Sequence, residues 1–168
     1  LRTIEDTDIE QRRDNPVDMV EFVASSREWA FERAGDDELA LSVAGRWTQY
    51  SVSFAWIEAC EALHLGCAFD LAVPTHRETE VLKLLSRINE QLIFGHFDLW
   101  AKEGAIMFRH ALLLAGGADA TSQQAERLLA SAVENCERFH QAFQFVAWSG
   151  KSAADALACS LFETVGNA

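Results

Sequence analysis

The sequence predicts an α+β fold, an antiparallel sheet with helices packed against it, and three observations predict it. Runs of apolar residues with a period of two follow one another across short turns, which favours antiparallel neighbours. Stretches with helical spacing stand before, between and after those runs instead of alternating with single strands. At 168 residues, with 49% apolar and 24% charged side chains, the chain has the size and balance of one globular domain with a genuine core.

The elements follow in order. Residues 1–14 are charged and lack apolar periodicity, so they predict a flexible charged tail ahead of a single domain over 15–168. Asn15 caps a helix that starts at Pro16, where the missing N–H costs nothing, and ends near Ser26, with Val20, Val23 and Met19 inward. From Trp29 the period becomes two, with Trp29, Phe31 and Arg33 on one side. Gly35-Asp36-Asp37 turns the chain into a strand carrying Leu39, Leu41 and Val43. After Gly45, residues 47–56 place Tyr50, Val52, Phe54 and Trp56 on one face. The cleanest alternation spans 63–73, with Leu63, Leu65, Cys67, Phe69, Leu71 and Val73, and Pro74 stops it.

Thr75-His76-Arg77-Glu78 has the pattern of a capping box for a helix that buries Val81, Leu84, Leu85, Ile88 and Leu92 and ends at Gly95. Strands over 96–101 and 105–114 come next, joined at Glu103-Gly104. Gly116-Gly117 breaks the pattern, and Thr121-Ser122-Gln123-Gln124 is a second capping box. It opens a long helix with Leu128, Leu129, Ala132, Val133, Cys136, Phe139 and Phe143 inward. Ser149-Gly150 interrupts that helix, and Ser152 caps a last one that packs through Leu157 and Leu161.

Charge narrows the partners. Acidic side chains outnumber basic ones 26 to 14, a net charge of −12 that repels polyanions, so nucleic acid and anionic membrane are disfavoured. The densest basic run, Gln11-Arg12-Arg13, is followed at once by Asp14. No apolar stretch reaches the length of a membrane span. Residues 1–6 lack the basic region and apolar stretch of a signal peptide, although the chain opens on Leu rather than Met. Cys60, Cys67, Cys136 and Cys159 form no C-x-x-C pair, and free buried thiols in a reducing cytoplasm are expected.

The hairpin is the most informative place for function. A two-residue turn at Glu103-Gly104 would set Lys102 opposite Ala105, Trp100 opposite Met107, Asp98 opposite Arg109 and His96 opposite Ala111. His96, Asp98, Trp100, Met107 and Arg109 then share one sheet face, while Phe97, Leu99, Ile106, Phe108, His110, Leu112 and Leu114 take the core face. Two readings compete. One is a cross-strand ion pair beside an aromatic, contributing up to about 1 kcal/mol. The other is a docking surface, because Trp, Met and Arg are enriched at interface centres. A catalytic His96–Asp98 dyad is disfavoured, since no nucleophile or activated water is supplied nearby.

Other candidates give way to plainer readings. In Cys60-x3-His64-x2-Cys67, Cys67 lies in an alternating strand and His64 points to the opposite face, against zinc ligation. His76 falls in a helix's first turn at the surface, and His140 at the rim of the long helix's buried stripe. Ser149-Gly150-Lys151-Ser152 has the end of a P-loop but follows a helix and lacks the first glycine. No G-x-G-x-x-G, G-x-S-x-G or H-E-x-x-H is present, so neither a cofactor nor a metal is expected.

Several stretches together resemble the YbjN-domain family of bacterial proteins. They are residues 88–100 (INEQLIFGHFDLW), Phe108-Arg109-His110, residues 143–151 (FQFVAWSGK), and the strand containing Cys67, Phe69, Asp70 and Leu71. The resemblance covers about residues 15 to 160. It implies a type III secretion chaperone-like fold: a curved antiparallel sheet of five to six strands flanked by helices, usually paired as dimers. It also implies a sensory transduction regulator with no established catalytic residues. The expectation is therefore a cytoplasmic, non-enzymatic regulatory or chaperone-like adaptor that binds a protein or peptide as a homodimer. Five Trp and eleven Phe exceed what one small core needs, which supports a subunit contact. The alternative is a small-molecule sensor with an enclosed pocket between sheet and helices.

Overall fold

The computed structural model describes residues 15–165, with side chains through Leu161. The expected tail over residues 1–14 lies outside the described residues. Six strands form one sheet: β1 (Phe31–Arg33), β2 (Glu38–Ala44), β3 (Gln49–Ile57), β4 (Ala62–Ala72), β5 (His96–Trp100) and β6 (Ala105–Leu113). Their order is β1-β2-β3-β4-β6-β5, with every neighbouring pair antiparallel. Four helices, α1 (Pro16–Ser26), α2 (Glu78–Asn89), α3 (Ser122–Ala147) and α4 (Ala153–Val165), complete the α+β architecture.

The period-two pattern puts Leu39, Leu41, Tyr50, Val52, Phe54, Leu63, Leu65, Cys67, Phe69, Phe97, Ile106 and Phe108 on the inner sheet face, all buried. Helix α3 crosses β4 and β6, α1 packs on α3 and β3, and α2 and α4 pack on α3. Phe97 joins the two layers, with ring centroids 5.2 Å from Phe108, 6.0 Å from Phe139 and 5.1 Å from Phe143. Among the described residues all four helices lie on this side of the sheet, and the outer face carries none.

Local chemistry explains most element ends. The Asn15 side chain accepts from Val17 N at 3.0 Å, and Thr121 with Gln124 closes a full capping box. Ser152 Oγ accepts from Asp155 N at 3.2 Å at the start of α4. The first predicted capping box does not form. Thr75 already lies inside a 3₁₀ turn over Thr75–Arg77, so it lacks the extended backbone of an N-cap. Arg77 instead donates to the carbonyls of Val146 (2.7 Å) and Lys151 (2.6 Å), fastening the start of α2 to the α3–α4 break. Helix α2 stops at Asn89, well before Gly95, and Leu92 packs on the core from the following loop. Leu161, expected inward, is exposed.

Candidate functional site on the outer sheet face

The register decides which outer-face residues meet. One row across the sheet runs Ala40, Ser53, Gly66, Arg109, His96, and the next runs Ser42, Ser51, Ala68, Met107, Asp98. Trp100 lies beyond them, beside Ala105 and Ala72. The five predicted residues therefore do share one face. Their pairing differs by two residues from the expectation: Trp100 faces Ala105, Asp98 faces Met107, and His96 faces Arg109. The turn is wider than two residues, spanning 101–104, with Gly104 at φ 62°. Val73 N donates to Gly104 O at 2.8 Å, docking the loop on the end of β4. A shift of two preserves the face because side chains alternate with that same period.

The ion pair survives as a diagonal contact, Arg109 Nη1 to Asp98 Oδ2 at 3.4 Å, with both side chains about two-fifths exposed. At that exposure it contributes no more than about 1 kcal/mol. The other carboxylate oxygen of Asp98 accepts from Leu99 N at 3.0 Å, so Asp98 is engaged by neighbours other than His96. Arg109 Nε donates to His64 Nε2 at 3.3 Å. Burial, then Arg109, then His96 hold the His64 imidazole below its ordinary pKa, which suits its role as a neutral acceptor. His64 belongs to this face, although its sequence signal, a lone polar residue opposite Cys67, says nothing about which strand lies alongside.

The floor around these groups is low. Ala40, Ser42, Ser51, Ser53, Gly66 and Met107 line an open trough of about 480 Å³. A Cβ at Gly66 would sit 3.1 Å from Met107 Sδ and 3.2 Å from Ser53 Oγ, so a side chain there would crowd the floor. Ile57 and Leu113, both exposed, flank Ala62 in a row at one end of the face, and Trp100, 43% exposed, stands at the other. The arrangement is a broad, mostly small-residue surface with bulky side chains at its margins and a compensated charge pair inside it.

The remaining candidates fall elsewhere. Cys60 is exposed in a short turn and Cys67 is buried, while His64 faces outward, so the three do not converge. Among the described residues no group of three or more His, Cys, Asp or Glu could hold a metal ion. The expectation of buried thiols holds for Cys67 and Cys136, whose sulfurs lie 3.6 Å apart. It fails for exposed Cys60 and half-buried Cys159. His76 is exposed. His110 lies on the inner side, as expected, but half-buried: its ring stacks on exposed Phe94 at 6.0 Å and its Nδ1 accepts from Ala111 N. His140 is not at a rim. It is 2% exposed, packed between Phe69 and the parallel ring of Trp47 from the β2–β3 turn. No described helix is long and apolar enough to cross a membrane.

Comparison with known proteins fits this geometry. Residues 16–145 match the YbjN family model, described as "Putative bacterial sensory transduction regulator". A crystal structure of YbjN from E. coli superposes with a TM-score of 0.54 at 11% identity, covering 88% of this chain and 93% of that one. A structure of the ExsC–ExsE complex contains a chain that superposes with a TM-score of 0.50 at 17% identity, covering 74% and 89%. No curated protein matches the sequence. The chain belongs to the YbjN family, and its fold is similar to that of type III secretion chaperones.

Proposed function

We propose that this protein is a non-enzymatic regulatory adaptor, acting in the cytoplasm as a homodimer, whose outer sheet face receives a protein or peptide. The observation that carries the reading is the bare face itself. A sheet covered by helices on one side leaves Trp100, Met107 and Arg109 presented on the other, over a floor of Ala, Ser and Gly. Those three residue types are enriched in interface centres, and a low floor lets a partner's side chains approach closely. The family's description as regulators supports the same role, and the likeness to a chaperone-type fold supports paired subunits. The absence of a C-x-x-C pair and the free thiols support the cytoplasmic location.

The small-molecule alternative needs an enclosed pocket between sheet and helices. Two hollows among the described residues lie elsewhere, one on the outer face and one between α2 and the start of α4. Both open to solvent, which favours the adaptor.

Size-exclusion chromatography with light scattering at micromolar concentration is expected to return the mass of a dimer, and a clean monomer would sink the homodimer. Trp100→Ala is expected to weaken partner capture from native cytoplasm by about 30-fold, the effect of losing ~2 kcal/mol at an interface anchor. Equal capture by wild type and Trp100→Ala would remove the outer face from the proposal.

A further inference from the structure

Away from the outer face, one buried group stands out. His140, in the C-terminal half of α3, is 2% exposed, and its Nδ1 has no hydrogen-bond partner among the described residues. Its ring lies parallel to the Trp47 indole, with centroids 6.4 Å apart and planes within 2°, and 5.3 Å from Phe69. Trp47 is 40% exposed and belongs to the turn between β2 and β3, so one of the rings packed against the imidazole is itself open to water.

A hydrogen bond ties that turn to α3, from Arg46 N to Glu137 Oε1 at 2.8 Å, and within the turn Gly45 N donates to Thr48 O at 2.9 Å. The approach is close: a Cβ at Gly45 would lie 2.1 Å from the Tyr50 ring and 2.2 Å from Glu137 Oε1. The charged and titratable groups around the cluster are Glu137 on the preceding turn of α3, Arg46 over the Trp47 ring at 4.7 Å, buried Tyr50 on β3, and the touching thiols of Cys67 and Cys136. Burial lowers the pKa of His140, while the Glu137 charge pulls the other way. Tyr50 and Cys136 are held protonated by burial, so neither supplies a counter-charge.

From this juxtaposition we infer that His140 and Trp47 form an acid-triggered latch, in which protonation of the buried imidazole lifts Trp47 and the β2–β3 turn off α3. A neutral imidazole can lie between Trp47 and Phe69 with one nitrogen unpaired. An imidazolium carries two N–H donors and a charge, and water is reached by moving the indole. Lifting the turn also loosens the Arg46–Glu137 hydrogen bond and uncovers Phe69 and Tyr50. The sign follows from proton binding. The closed state holds fewer protons than the open one, so it dominates above the ordinary histidine pKa of about 6.5 and gives way as pH falls below it.

The test is an NMR titration of the full chain from pH 7.5 to 4.5. It follows the Trp47 indole N–H, assigned with Trp47→Phe, and the His140 Cε1–H. The latch predicts that both move together with a midpoint below 6.5, and that indole solvent exchange speeds up at least tenfold across the transition. In His140→Phe, which keeps an apolar ring without a titrating group, the indole is expected to stay unchanged. His110→Gln is expected to preserve the transition. A flat indole signal in wild type overturns the latch, as does an unaltered transition in His140→Phe. Should His140→Phe fail to fold, wild type alone decides: a His140 midpoint at or above 6.5, or one that does not coincide with the indole's, overturns it.

Discussion

Asn89 shows how one side chain can finish a sheet. Strand β5 is an edge, and the N–H and C=O of Phe97 point away from β6. Asn89, the last residue of α2, accepts from Phe97 N at 2.8 Å and donates to Phe97 O at 3.0 Å. The carboxamide stands in for the peptide group of a neighbouring strand, and Asp98 takes the next outward donor, Leu99 N. An edge treated this way offers little template for pairing with another chain. Asn89→Ala is expected to cost about 1–3 kcal/mol in urea unfolding, because two half-buried backbone groups lose their partner. It should also increase aggregation on storage. A midpoint within error of wild type would show that water satisfies Phe97 equally well.

The two predicted capping boxes, one formed and one not, separate what a four-residue pattern can and cannot specify. Thr121 follows a loop that leaves its backbone extended, so both reciprocal bonds close. Thr75 follows Pro74 directly into a tight turn, and Arg77 is drawn to carbonyls near residue 150. Thr121→Ala is accordingly expected to destabilise by about 0.5–2 kcal/mol, whereas Thr75→Ala should be nearly silent. Chemical denaturation of both variants checks this, and equal losses would contradict the distinction. The β5–β6 hairpin teaches a similar lesson. Its faces were legible because alternation survives a shift of two, but its register was set by the docking of Gly104 on Val73, a contact between residues more than thirty positions apart.

At the scale of the molecule, stability should depend on pH in a direction the histidines set. Burial holds His140, His64 and His110 below the ordinary value, and nearby positive charge adds to this at His64 and His110. Below about pH 6.5 the unfolded chain therefore binds protons that the folded chain resists, and stability falls as pH drops. Protonation also relieves the self-repulsion of a −12 chain, which works the other way. At 0.15 M salt that diffuse term is screened over about 8 Å, so the local burial term is expected to win. The urea midpoint should thus be lower at pH 5.5 than at pH 7.5. A midpoint that rises on acidification would show that global charge dominates.

The sequence by itself determined the α+β class, the strand faces, the helix starts at Asn15 and Thr121, and the sharing of one face by His96, Asp98, Trp100, Met107 and Arg109. Each of these rests on local periodicity or on a side chain meeting its own neighbouring backbone, which a short window contains. Only the tertiary structure decided that His64 lies against Arg109, that Asn89 closes β5, that His140 packs against Trp47, and that the helices leave one sheet face bare. These follow from which distant segments are adjacent. Such adjacency is fixed by packing of the whole core, and no spacing within a single segment encodes it.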